Sequence, residues 1–175
     1  MAMVGLFWIA EGDVYLGAKP AGPAPGVRLA PEAVLGLGDG QSGLHLWEDV
    51  RSLTVTDVPV KTLRRQVGAV TGLALDTVKE LALPIGHGRV DEAPPMMTVR
   101  VGTAAAEHEL SAYSAAAVGY SPTETDLSLT LLSRLTEGAA TMATTLAEMA
   151  EWGRAWEGGS PRTAERERLL RSWTG

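Results

Sequence analysis

The first sixty residues alternate short apolar runs with turn-forming Gly, Pro and Asp, a pattern typical of short β-strands. Within residues 51–58, Leu53 and Val55 alternate with Ser52 and Thr54, which predicts a strand with one buried face. Earlier runs predict further strands, with a hairpin turn at 11–12 and a Pro-rich loop over 19–26. The earlier predicted strands cover residues 4–9, 14–16, 27–29, 34–37 and 44–47.

Pro59 ends this region, and the apolar period then changes. Between residues 61 and 82 apolar side chains recur three or four positions apart, which predicts an inserted helix. Gly68, Gly72 and several Val weaken a helix there. A pair of strands therefore remains the alternative for this segment.

Residues 96–113 carry two runs of period-two alternation joined by a small-residue turn. In the second run His108, Leu110 and Ala112 share one face. This pattern predicts a β-hairpin.

The strongest local signal is Ser121-Pro122-Thr123-Glu124. Ser at the N-cap, Pro at the first helical position and Glu at the third predict a helix start closed by a capping box. Apolar residues then recur at helical spacing from 127 to about 150, which predicts one long amphipathic helix. Gly138 is the point where such a helix would bend or break.

The last 24 residues carry five Arg, three Glu and three of the five Trp. Two interpretations remain open for their apolar side chains. They either fold back onto the core or form a docking surface for a partner or a second copy, since Trp and Arg are enriched at interfaces. The candidate partner-binding residues are Trp152, Trp156, Leu169, Leu170 and Trp173.

Composition narrows the classes of function. The 175 residues fit one domain, and a net charge of −6 argues against electrostatic binding to nucleic acid. The absence of Cys excludes thiolate catalysis and disulfides. Residues 1–10 lack the basic region of a signal peptide, and no apolar run is long enough to span a membrane, so we expect a cytoplasmic protein. The excess of Arg over Lys is typical of GC-rich genomes such as those of actinobacteria.

Candidate chemistry is sparse. Residues 38–43 spell G-x-G-x-x-G, but a strand pattern follows them, so we interpret them as a loop and expect no cofactor. His87 with Asp91 and Glu92 offers metal-ligating side chains without a supporting His-x-x-x-His spacing, so we expect no metal site. We find no combination of nucleophile, base and acid, which disfavours an enzyme without excluding one.

The order of these elements resembles a bacterial pleckstrin-homology-like or GRAM-like domain of actinobacterial type. The resemblance lies in the Trp47-Glu48-Asp49-Val50 turn between strands, the hairpin at 96–113 and the capped helix after it. It implies an α+β fold over residues 3–150, in which a bent antiparallel barrel or sandwich is closed by a C-terminal helix. The helical segment 61–82 is then an insertion, and 151–175 is an added tail or short helix.

The same resemblance implies a binding scaffold rather than a catalyst. The first hypothesis is a protein-interaction module that self-associates or docks a protein partner through the C-terminal helix and tail. The alternatives are a small-ligand or lipid carrier using the barrel, and an enzyme with a loop site. Phosphoinositide binding is not expected, because acidic Glu11-Gly12-Asp13 occupies the first turn.

Overall fold

The computed structural model describes residues 2–41, 43–61, 94–116 and 119–175. Within them the chain is α+β, with two antiparallel sheets followed by three helices. The strands are β1 (Ala2–Val4), β2 (Phe7–Ala10), β3 (Asp13–Leu16), β4 (Gly26–Leu29), β5 (Ala33–Leu37), β6 (Gly43–Leu46), β7 (Val50–Thr56), β8 (Met96–Thr103) and β9 (Glu107–Tyr113). The helices are α1 (Pro122–Leu135), α2 (Ala139–Ala155) and α3 (Thr163–Thr174).

Strands β1 to β6 form one meander in which each strand pairs with the next. The register places Val4, Phe7, Leu16 and Val27 in one row across four strands, and all four are fully buried. Because paired residues share a face, this row defines the inner face of the sheet. Glu11 and Gly12, both at positive φ, make the predicted turn between β2 and β3.

The run at 4–9 is two strands rather than the single strand that the sequence predicts. Gly5 adopts a positive φ and turns the chain back on itself between β1 and β2. The side chains of Ser128 and Leu170 lie so close to Gly5 that a Cβ would collide with them. An uninterrupted apolar sequence hides this turn, because only the glycine's conformation makes it.

Strands β7 to β9 form the second sheet, and their alternation follows the prediction. Leu53, Val55, Leu110 and Ala112 are buried along its inner face. Strands β8 and β9 pair in full register as the predicted hairpin.

The predicted long helix is two helices. Thr136 caps the end of α1, and Gly138 is extended at the start of α2. The break therefore falls at the glycine, the residue that contributes least to helix stability in this segment. The start of α1 follows the prediction in part. The Glu124 N–H donates to Ser121 Oγ at 3.1 Å, as in a capping box. The Glu124 carboxylate, however, pairs with Arg166.

The second sheet and the helices contact the six-stranded sheet at different places. Strand β9 packs against β4, α2 packs against β2 and β3, and α3 packs against β1. The Ala18 N–H donates to the Tyr113 carbonyl at 2.7 Å, which ties the end of β3 to the end of β9. The described strands remain two separate sheets rather than a closed barrel.

Three of the sequence predictions lie outside the described residues. They are most of the inserted helix at 61–82, the 85–93 loop with His87, Asp91 and Glu92, and Ser42 of the glycine string. In the part that is described, the glycine string leads into β6 and not into a helix, as the loop interpretation requires. None of the described helices is both long enough and apolar enough to cross a membrane.

Candidate functional site

The C-terminal tail packs most of its apolar side chains against its own chain. Leu169, Leu170 and Trp173 all belong to the buried core, on the face of α3 that meets α1 and β1. Three of the five candidate partner-binding residues are therefore covered in the single chain.

A buried ion pair holds this tail in place. The Arg166 guanidinium contacts the Glu124 carboxylate through Nε at 2.5 Å and through Nη2 at 3.2 Å. It also donates to the Pro161 carbonyl at 2.6 Å. The side chains are 11% and 2% exposed, so both charges are largely withdrawn from water and depend on each other.

The other two candidates, Trp152 and Trp156, lie one helical turn apart at the end of α2. Their rings stack with centroids 5.2 Å apart, and Trp152 also meets the edge of Trp173 at 5.8 Å. Both are partly exposed. The Trp156 Nε1–H donates to the Gly159 carbonyl, so this ring supports the joint between α2 and α3.

Strand β6 presents a different surface. It is the last strand of the six-stranded sheet, and no other described strand pairs with its outer edge. Leu44 and Leu46 point to the outer face of the sheet and are 63% and 37% exposed. Beside them, Leu35 of β5 lies directly opposite Leu44, which extends the apolar surface inward by one strand.

Two of the other edge strands, β7 and β1, differ from β6. Strand β7, at one edge of the second sheet, exposes polar Arg51, Ser52 and Thr54. Strand β1 is covered by α3, and the Met3 N–H donates to Ser160 Oγ at 2.9 Å. Strand β6 has no charged residue between 43 and 46, so the charged side chains that often protect an edge strand are absent from it.

On the opposite side of β6, His45 faces the second sheet. Its ring meets that of His108 from β9, with centroids 4.5 Å apart and planes inclined by 33°. Partial burial, and then the neighbouring His108, lower the pKa of His45 from its usual 6.5. Both effects disfavour the charged imidazolium, so the neutral ring predominates at neutral pH.

The two imidazoles line a pocket of about 300 Å³ at the open end between the sheets. Asp49, Arg51 and Thr103 also line it, so the pocket holds both signs of charge. A second cleft, of about 410 Å³, lies between the β6–β7 turn and the α1–α2 junction and is lined by Trp47 and Met142.

Gln41 fixes the position of β6 relative to β9. Its carboxamide accepts from the Ser111 N–H at 2.7 Å and donates to the Ser111 carbonyl at 3.0 Å. The same amide also donates to the carbonyls of Gly26 and Leu37. One side chain therefore connects the β5–β6 loop to both sheets.

Sequence reasoning missed both features of β6. The alternation at 44–46 predicts a strand, but it does not say which face is covered. The uncharged composition of 43–46 was the one available signal for an exposed edge. The contact between His45 and His108 joins residues 63 positions apart and has no local signature.

Comparisons with known proteins give this surface no precedent. No family model matches the chain, and neither a curated protein nor a solved structure matches it.

Proposed function

We propose that this chain is a non-enzymatic protein-interaction module that self-associates through the outer edge of β6. The observation that carries the proposal is the pair of exposed leucines, Leu44 and Leu46, on an uncharged edge strand. The pleckstrin-homology-like architecture is part of the same proposal. It is supported by the order of strands, closing hairpin and capped helix.

An exposed edge strand offers a row of backbone N–H and C=O groups to any strand that can pair with it. Proteins that must stay monomeric block such edges with charge, Pro, bulges or a covering element. Strand β6 has none of these in the described structure, whereas β7 carries polar residues and β1 lies under α3. This difference supports β6 as the contact surface.

The strand is also self-complementary, which favours a second copy as the partner. An antiparallel pair of β6 strands centred on His45 places Leu44 of each copy opposite Leu46 of the other. Both leucines lie on the same face of the sheet. The two-fold arrangement therefore buries four leucines in one cluster and continues the sheet across both copies.

We assign the contact to β6 rather than to the C-terminal tail for a physical reason. Leu169, Leu170 and Trp173 are already buried in the chain's own core, so docking them on a partner would require α3 to detach. Detachment would expose the Glu124–Arg166 pair. In this proposal α3 stabilises the domain, and β6 makes the intermolecular contact.

Light scattering of the full chain across a range of concentrations tests the proposal. We expect a dimer for the unmodified chain and a folded monomer for Leu44→Glu with Leu46→Glu, because paired strands would then bring four carboxylates together. Met96→Glu is the matched control. It also places a carboxylate at an exposed apolar residue, 45% exposed, but away from β6, and should remain dimeric.

Three results would contradict the proposal. The unmodified chain could be monomeric at every concentration, or the β6 variant could stay dimeric. The third is a monomer produced by Trp152→Ser with Trp156→Ser, which would move the contact to the tail. Circular dichroism of each variant establishes that it is folded before its mass is interpreted.

A further inference from the structure

Two of the three histidines in the chain meet although they come from different sheets. His45 belongs to the last strand of the six-stranded sheet, and His108 belongs to the edge strand β9 of the other. Their ring centroids are 4.5 Å apart. Both rings face inward from their strands, since His45 pairs with buried Val34 and His108 pairs with buried Val101.

The pair is not packed into the core. Both rings remain partly exposed and lie where the space between the sheets opens to solvent. Small side chains, Ala104 and Ala105, form part of the wall. An ion could therefore reach the imidazoles without rearrangement of the sheets.

The separation of the rings suits two imidazoles on one metal ion. A ring nitrogen binds Zn²⁺ at about 2.0–2.1 Å, which puts the ring centre roughly 3.2 Å from the metal. At ligand angles of 90° to 109°, two such ring centres are then about 4.5–5.2 Å apart. The 4.5 Å observed between His45 and His108 lies at the lower end of that range.

We propose that His45 and His108 together bind one divalent transition-metal ion of the Cu²⁺, Ni²⁺ or Zn²⁺ class. Imidazole nitrogen is a preferred ligand for these metals. No cluster of three or more His, Cys, Asp or Glu suited to a metal occurs among the described residues, so the proposed site has two protein ligands there. Asp49, which lines the same pocket, adds negative charge that partly offsets Arg51.

A metal bound here acts as a clamp between the sheets. It joins β6, which is held by β5 alone among the described strands, to β9. Because only two side chains bind the ion, it exchanges readily. The affinity of the site for different metals follows the general order for nitrogen ligands, in which Cu²⁺ binds more tightly than Ni²⁺ and Zn²⁺.

Calorimetric titration of the chelator-treated full chain with Cu²⁺, Ni²⁺ and Zn²⁺ tests the proposal. We expect one ion per chain and the tightest binding for Cu²⁺. Losing even a hydrogen-bond partner of a metal ligand costs about tenfold in affinity. His45→Gln and His108→Gln, which each remove a ligand, should therefore weaken binding at least about tenfold. His87→Gln, which removes the third histidine, is the matched control and should bind as the unmodified chain does.

Unchanged affinity in either His45→Gln or His108→Gln would overturn the proposal, as would loss of binding in His87→Gln. A stoichiometry of one ion per two chains would also overturn it, since the site would then be intermolecular. Nuclear magnetic resonance of the unmodified chain provides a measurement that needs no variant. Paramagnetic Cu²⁺ should broaden the imidazole signals of His45 and His108 first, and broadening elsewhere first would contradict the assignment.

Discussion

The C-terminal tail and strand β6 each carry a pair of leucines, but only the pair in the tail is buried by its own chain. In the tail, Leu169 and Leu170 are buried, and an ion pair between Glu124 and Arg166 fastens their helix to α1. In β6, Leu44 and Leu46 stay exposed beside a strand edge without charge. An apolar pattern in the sequence predicts that a side chain will be buried. It does not say whether the residue's own chain or a partner buries it.

The largest effect should come from breaking the connection that holds the tail. Arg166→Met keeps an unbranched apolar stem but removes the guanidinium, which leaves the Glu124 carboxylate, 2% exposed, without its partner. Because an unpaired buried charge is strongly unfavourable, we expect the free energy of unfolding to fall by about 3–5 kcal/mol. Urea denaturation followed by tryptophan fluorescence measures this.

Arg168→Ala is the control for that variant. Arg168 pairs with Glu165 on the exposed side of the same helix, where solvent screens the charges. We expect no measurable change in the denaturation midpoint. Equal losses in the two variants would mean that Glu124 is more hydrated than its burial indicates.

The next largest effect comes from a comparison of Leu→Ala in the tail with Leu→Ala in β6. Leu170→Ala removes a fully buried side chain and should destabilise the chain by about 2–5 kcal/mol. Leu44→Ala removes a side chain that is 63% exposed, so stability measured below the dimerisation concentration should change by less than about 0.5 kcal/mol. Similar losses at both positions would remove the contrast between the tail and β6.

The smallest effect concerns His45. Since its pKa is lowered in the folded chain, the unfolded chain binds the proton at a higher pH than the folded chain does. This contribution to stability is present above pH 6.5 and is lost as the pH falls through the lowered value. Burial and the neighbouring His108 lower this pKa, and the charged residues Asp49 and Arg51 line the same pocket.

His45→Gln should therefore flatten the loss of stability between neutral and mildly acid pH. Denaturation midpoints at closely spaced pH values, compared with those of His87→Gln, measure the difference. If His45→Gln does not change the slope of stability against pH, groups other than His45 cause that slope.

Local rules predicted much of the fold because the relevant forces act between near neighbours. The hairpin β8–β9 follows from alternation, and the start of α1 follows from Ser121 and Pro122. The turn at Gly5 was missed because its cause is a backbone conformation inside an apolar run. The Glu124 side chain was assigned to a capping box because a local partner was the only one visible in the sequence. The distant Arg166 binds it instead.

The candidate site was less predictable for the same reason. The tail residues, three Trp and two Leu, were chosen for their aromatic and apolar side chains, which are shared by interfaces and by cores. The exposure of Leu44 depends on β6 being the end of a sheet, and that is a property of the whole strand order. The pairing of His45 with His108 depends on how two sheets meet, which no local pattern encodes.

The Gln41 carboxamide has a consequence for how this surface can vary. It pairs with Ser111 through both its oxygen and its nitrogen, as a backbone peptide group would in a strand. A slip of β6 by one residue against β5 would move the strand by about 3.3 Å along its axis and reverse its faces. Because Gln41 ties the start of β6 to Ser111 of β9, it opposes such a slip. Substitutions within β6 can therefore change the chemistry of the edge while its position is held.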